Sequence, residues 1–274
     1  MAKNIKEVQE INRMILDEVD RVCKKYNICY YLDCGALLGA VRHGSFIPWD
    51  DDVDISFTRD NYEKFISAAE IEWKHGDFIL HRPEDFLDGK WLDYNIRVVY
   101  KNNTADINTY EKVGKKAARN IWGKPALDIF ILDNTSDNVL KHKIQCSFLT
   151  LYYGLAMGHR KFIDFSEYST FPKIVIWYLS RIGKHLSRDW IIQKYNYHAQ
   201  YYRNQSGHYY FYSNFPPKDI IKRRKREWYQ NGTTVSIDRI PYHAPLDYDM
   251  VLKSTYGNYM KLPPEHERVA QHIK

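Results

Sequence analysis

The sequence predicts an α+β fold: a mixed sheet with flanking helices over about 1–136, followed by a mainly helical region over 137–274. Three observations carry this. Short β-rich runs alternate with helical patterns through the first half. From Asp137 onward the apolar and aromatic stretches lengthen and contain few turn residues. With 44% hydrophobic and 27% charged residues over 274 positions, the chain has an ordinary globular balance that excludes disordered and collagen-like classes.

Taken in order, Ile5, Val8, Ile11, Ile15, Val19 and Val22 recur at spacings of three and four, so an amphipathic helix occupies 5–25. Ile28 to Leu32 is a β-rich run. Asp33-Cys34-Gly35 punctuates it before a short helix over 36–43, which Gly44 can terminate. Val53 to Phe57 reads as a second strand, and a helix over 60–73 follows with Thr58 or Asp60 as its cap. Phe78 to His81, Trp91 to Tyr100 and Ala126 to Leu132 are three more strand candidates. Beyond them, 138–158 and 171–203 read as long helices. Short strands over 209–213 and 233–237 are expected to return to the sheet before a last helix near 246–256.

Lys plus Arg exceed Asp plus Glu by 40 to 34, a formal charge of +6 that favours anionic partners without selecting among them. Cys23, Cys29, Cys34 and Cys146 have no CxxC spacing, so free thiols in a reducing cytoplasm are expected. The polar, periodic N-terminus argues against a secretory signal, and the apolar stretches 146–157 and 171–182 fall short of the roughly 20 residues that span a bilayer. With 23 Tyr and 7 Trp, the chain can line a wet cleft that stacks on rings or on a quaternary amine.

The chemically informative stretch is Asp50-Asp51-Asp52-Val53-Asp54, where acids crowd the start of an apolar strand. Alternation along a strand would put Asp50, Asp52 and Asp54 on one side. Carboxylates two residues apart repel in a half-buried site unless a cation lies between them, so Asp52 and Asp54 read as ligands of a divalent metal, Mg²⁺ fitting an oxygen-only set. A solvated acidic loop is the competing reading. An EF-hand is excluded, because its sixth and twelfth positions would fall on Ile55 and Asn61. Asp128 lies inside an apolar strand, where an unpartnered acid costs several kcal/mol. A metal held by Asp52 and Asp54 would supply its partner, while Asp133 reads as a cap at the strand's end. Gly35 stands between a strand and a helix, where backbone amides can hold a phosphate or simply make a tight turn.

Strand, Gly turn, short helix, acid-pair strand and a later third acid are the parts of the nucleotidyltransferase scaffold. The stretch DCGALLGAVRHGSFIPWDDDVDI over 33–55 closely resembles the signature of the LicD family of phosphotransferases, to which fukutin-type proteins are related. The similarity extends to ALDIFILD over 126–133 and YGNYMKLPPEHER over 256–268. This resemblance implies a nucleotidyltransferase-like core over 1–136 and an acceptor-side region over 137–274 whose end returns to the site. It implies transfer of phosphocholine, or a related phospho-alcohol, from a CDP-linked donor such as CDP-choline to a hydroxyl of a cell-surface glycan or its lipid-linked precursor, with release of CMP. Lipopolysaccharide and teichoic acid are acceptors of that kind. The catalytic and metal residues would be Asp52, Asp54 and Asp128, with Mg²⁺ or Mn²⁺ bridging the donor diphosphate. One departure is Ala36, where the wider superfamily usually has Ser or Gly after the first glycine, which removes a seryl contact to phosphate.

Several further residues carry paired readings. Arg42 and His43 can reach the diphosphate or serve as partners of the helix dipole. Arg97 is a phosphate clamp or one half of an ion pair with Asp93 or another acid. Trp49 stacks on a ligand or packs. Tyr256, Glu265, Arg268 and His272 belong to a segment that closes over the site or straps the surface. The basic run Lys222 to Arg226 is a solvated face or an attraction to an anionic membrane, which would make the protein cytoplasmic and peripheral at the inner face of the cell membrane. No nucleic-acid partner is expected. Two rival functions stay open: nucleotidyl transfer from a nucleoside triphosphate to a small molecule or RNA, and an inactive module that binds phosphorylated glycans.

Overall fold

The computed structural model describes residues 5–85, 93–101, 125–160, 163, 165 and 168–270. The chain divides into two compact units, one comprising 1–81, 97–131 and 224–274, the other 82–96 and 132–223.

In the first unit, α1 (Ile5–Lys25) buries Val8, Ile15, Leu16, Val19, Val22 and, within the same stripe, the polar Asn12. There follow β1 (Tyr31–Leu32), α2 (Cys34–His43), β2 (Val53–Thr58), α3 (Arg59–Glu72), β3 (Phe78–His81), β4 (Ile96–Tyr100) and β5 (Ala126–Thr135). The strand order is β1-β2-β5-β4-β3. β1 pairs antiparallel with β2, Leu32 opposite Ile55, and β3 pairs antiparallel with β4. β2 lies inside this sheet with Val53, Ile55, Ser56 and Phe57 fully buried, which is why its acid is exceptional. β4 starts later than the sequence predicts. Asp93 Oδ1 accepts from the Asn95 amide at 2.8 Å, a local turn that delays the extended run, and Trp91 and Leu92 lie outside the described residues.

Later segments of this unit are β7 (Arg224–Lys225), β8 (Thr233–Ile237), β9 (Ile240–Ala244) and α7 (Tyr248–Tyr256). Against expectation, β8 does not return to the sheet but pairs with β9 in a separate hairpin. Asp238 and Arg239, at φ 48° and 71°, form a two-residue turn with both centres left-handed, whose twist matches a tight antiparallel pair.

The second unit contains α4 (Val139–Ala156), α5 (Thr170–Gly183), α6 (Arg188–Ala199) and β6 (Tyr209–Tyr212). The single helix expected over 171–203 is two helices. α5 ends at Gly183, and the Ser187 side chain accepts from the Trp190 amide to start α6. Leu149, Ile191, Ile192, Tyr195 and Phe211 form the core, and Tyr94 stacks on Tyr195 with ring centroids 3.5 Å apart. Asp133 is not a cap. It sits within β5 opposite Phe211, 1% exposed, because the strand continues to Thr135 to pair with β6. No described helix is long and apolar enough to cross a membrane.

Candidate active site

The site is assembled in the first unit around the start of α2. Asp33, fully buried at the end of β1, caps this helix by accepting from the Cys34 amide at 2.8 Å. The Gly35 amide donates to Asp54 Oδ2 at 3.3 Å. The first amides of α2, which the sequence offers to a phosphate, therefore meet the protein's own carboxylates. A side chain at Gly35 would run into the Asp50 carboxylate, and one at Gly39 would stand 2.6 Å from the Ser45 carbonyl oxygen. Both glycines let the loop before β2 fold back onto α2.

That loop carries Asp50, Asp51 and Asp52. Because β2 begins only at Val53, strand alternation does not govern where Asp50 and Asp52 point, contrary to the sequence expectation. The fixing groups come from α1. Gln9 Nε2 donates to the carbonyls of Ile47 and Asp50, both at 2.9 Å, and Asn12 Nδ2 donates to that of Asp51 at 3.0 Å. One carboxylate oxygen from each of Asp50, Asp51 and Asp52 lies within 4.8 Å of the others. Asp54, 8% exposed on β2, is pushed well above the ordinary carboxylate range, chiefly by burial and then by the charges of Asp52, Asp128, Asp50 and Asp33. An oxygen-only set this dense and this hard fits Mg²⁺ or Mn²⁺ rather than a softer metal.

Asp128 stands on β5, the strand next to β2. Arg97 engages it with both arms, Nε to Oδ1 at 2.7 Å and Nη2 to Oδ2 at 3.3 Å, the two side chains only 16% and 14% exposed. Of the readings open for Arg97, the structure displays an ion pair, with Asp128 as its acid. The partner that Asp128 needs is thus supplied by an arginine, which leaves lone pairs on both oxygens for another contact.

Above the acids opens a cleft of about 510 Å³, lined by Gly35, Arg42, Trp49, Asp50, Asp52, Asp54 and Tyr256, together with Asn258, Tyr259 and Lys261. The segment after α7 forms its far wall. Arg42 Nη1 donates to the Tyr259 carbonyl at 2.9 Å, and Arg42 Nε donates to His43 Nε2 at 3.0 Å. Burial, then the Arg42 charge, hold His43 below the usual imidazole range, so at neutral pH it is the uncharged acceptor of this bond. The Arg268 guanidinium lies 5.9 Å from the centre of the Trp49 ring, and its Nε donates to the Pro263 carbonyl at 2.9 Å. Burial, followed by Cys34 and the nearby carboxylates, keeps the Tyr256 phenol protonated. Glu265 begins a short 3₁₀ turn and is not among the residues lining the cleft, and His272 lies outside the described residues.

The basic run over 222–226 is dismantled by local pairing. Lys222 meets Asp219 and Lys225 meets Glu227, both at 3.0 Å. Arg223 donates to the carbonyls of Ser136 and Asp137 and lies over the Tyr209 ring, and the buried Arg224 donates to the hydroxyls of Ser254 and Thr255. Sequence reasoning missed Gln9, Asn12, Asp33 and Lys261 at the site. Asp33 opens the quoted motif and Lys261 lies in the tail motif, so both were within reach, whereas nothing in an amphipathic helix marks Gln9 or Asn12 as clamps.

Comparison with known proteins gives the following. A family described as LicD/FKTN/FKRP, nucleotidyltransferase domain, matches residues 27–172. Over 293 aligned positions the chain is 25% identical to the lipopolysaccharide cholinephosphotransferase LicD of Haemophilus influenzae, covering 98% of this chain and 96% of that protein. An uncharacterized protein of Rickettsia prowazekii is 40% identical over 47 residues, 17% of this chain and 18% of its own length. A counterpart from Rickettsia typhi matches 17% of this chain and 15% of its own length at the same identity.

Proposed function

The chain belongs to the LicD/FKTN/FKRP nucleotidyltransferase-domain family, and from that footing we propose that it transfers phosphocholine, or a related phospho-alcohol, from a CDP-linked donor to a glycan hydroxyl. The observation that carries the reading is the buried Asp54 ringed by Asp50, Asp52 and Asp128 beneath a cleft walled by Trp49 and Tyr256. The end-to-end similarity to a cholinephosphotransferase supports the choice of phosphocholine.

Asp52, clustered with Asp50 and Asp51, and the neighbouring Asp54 would hold Mg²⁺, which when bound neutralises the donor diphosphate and the departing CMP. Arg42 and Lys261, on the cleft wall, attract the diphosphate and orient it over the acids. Trp49 and Tyr256 offer aromatic faces to a trimethylammonium group. The Arg268 guanidinium 5.9 Å from the Trp49 ring centre supports a role for that face toward positive charge. Asp128, held by Arg97, accepts the proton of the acceptor hydroxyl. The freed oxygen attacks the phosphorus next to choline, a new P–O bond forms, and the bond from that phosphorus to the bridging oxygen breaks, so CMP leaves with the bridging oxygen and its electron pair.

The test is incubation with CDP-choline, CDP-ribitol, CDP-glycerol or nucleoside triphosphates in Mg²⁺, with chromatography of the products. CMP from CDP-choline is the expected result. CMP from another CDP-alcohol alone would move the specificity, and pyrophosphate from a triphosphate would replace the reading with nucleotidyl transfer.

A further inference from the structure

In the second unit, α5 turns most of its large apolar side chains to solvent, and we propose that this face seats the protein on an anionic lipid surface. The helix buries only Ser180 and Gly183. Phe171, Ile174, Trp177 and Tyr178 are 76%, 60%, 49% and 60% exposed. A surface helix of a water-soluble domain normally does the reverse. The inversion follows from how α5 docks: a side chain at Gly183 would collide with the Leu155 backbone of α4, and one at Gly158 would stand within contact of the Ser180 carbonyl. The small residues, with Ile176 and Leu179, make the contact, and Phe171, Ile174, Trp177 and Tyr178 point away.

Charge selects the occupant. Over 139–188 the sequence carries eight basic residues, Lys141, Lys143, Arg160, Lys161, Lys173, Arg181, Lys184 and Arg188, against two acids, Asp164 and Glu167, and α5 itself contains no acid. Arg181 lies over the Trp177 ring at 4.9 Å, placing a cation beside the apolar face. Trp and Tyr beside Lys and Arg, on a helix otherwise lined with Phe and Ile, are the groups that settle at a headgroup boundary, where the rings and stems enter the acyl edge and the cations meet phosphates. Docking of a second copy through this face would bring Lys173, Arg181 and Lys184 against their own images. At 14 residues, α5 is too short to span, so it lies in the plane of the surface. The inference stands apart from the donor assignment, because it uses no residue of the cleft.

The experiment is co-sedimentation of the full chain with vesicles of equimolar phosphatidylglycerol and phosphatidylcholine, against phosphatidylcholine alone. Binding to the anionic vesicles is expected, weakened by salt. Phe171→Ser with Ile174→Ser should lower the partition coefficient about tenfold or more. Lys173→Glu with Lys184→Glu should abolish the preference for anionic vesicles. Unchanged melting confirms that each variant is folded. Failure to bind anionic vesicles, or equal binding by the parent and both variants, overturns the proposal. So does a dimer in sedimentation velocity that Phe171→Ser with Ile174→Ser dissolves, since the face would then belong to a second copy.

Discussion

Replacing Arg97 with Met tests whether the Arg97–Asp128 pair holds the third acid in place. The substitution keeps most of the stem's apolar volume and removes the fork, leaving an Asp128 that is 14% exposed without its arginine. Removing one partner of a buried pair costs about 3–5 kcal/mol, and the residual exposure of both side chains argues for the lower figure, about 3 kcal/mol. For a protein of this size that lowers the melting midpoint by about 6–12 °C. Arg97→Met with Asp128→Leu should recover at least half of the loss, because no buried charge then remains unpaired. Calorimetry or fluorescence melts of parent, singles and double close the cycle. In parallel, donor turnover by Arg97→Met should fall at least about tenfold with the donor KM little changed, since Asp128 is present but no longer oriented. The reasoning fails if Arg97→Met melts within about 1 °C of the parent, or if the double variant is as unstable as the single.

Asp54→Asn should abolish Mg²⁺-dependent CMP release, by at least about a hundredfold, and should also change the pH dependence of stability. Burial and neighbouring carboxylates raise the folded-state pKa of Asp54. From the unfolded value of about 3.9 upward to that raised value, the folded state binds more protons, so stability falls as pH rises through the window. Melts across acid to neutral pH should show this slope in the parent and a flatter one in Asp54→Asn; equal slopes would refute the burial argument. Gly35→Ala should displace the Asp50 carboxylate and reduce turnover about tenfold while leaving the melt nearly unchanged, because a side-chain terminus rather than backbone must move. Removing divalent metal with EDTA should stop CMP formation, and Mg²⁺ or Mn²⁺ should restore it; full turnover in EDTA would remove the metal from the account.

Much of the first unit was legible because its signals are local. The stripe of α1, the turn at Asp33 to Gly35 and the apolar run of β2 each declare themselves within a few residues. The rest depended on partners that the local residue pattern does not reveal. Asp133 looks like a strand end until β6, some eighty residues on, supplies the pairing that extends β5 past it. The direction of Asp50 and Asp52 cannot be had from alternation, because Gln9 and Asn12 on α1 clamp the backbone of a loop that is not yet strand. The run over 222–226 reads as free charge only while Asp219, Glu227, Ser254 and Thr255 are unplaced.

The same distinction clarifies why acids and bases share one cleft in a chain of net charge +6. The carboxylates alone would repel a diphosphate, and Arg42 and Lys261 alone would bind it without a reacting geometry. Under the proposed reaction, a cation among Asp50, Asp52 and Asp54 would reverse the sign of the floor, so that floor and wall would act on the donor together. Arg42 joins the two parts physically, since it leaves α2 within the motif that ends in the acids and donates to the Tyr259 carbonyl of the far wall. Charge on the floor and position of the wall are therefore coupled through one guanidinium. Under the proposed reaction, Arg42→Ala should loosen the wall and weaken donor binding together, whereas Lys261→Ala, which removes only charge from the wall, should affect donor binding alone.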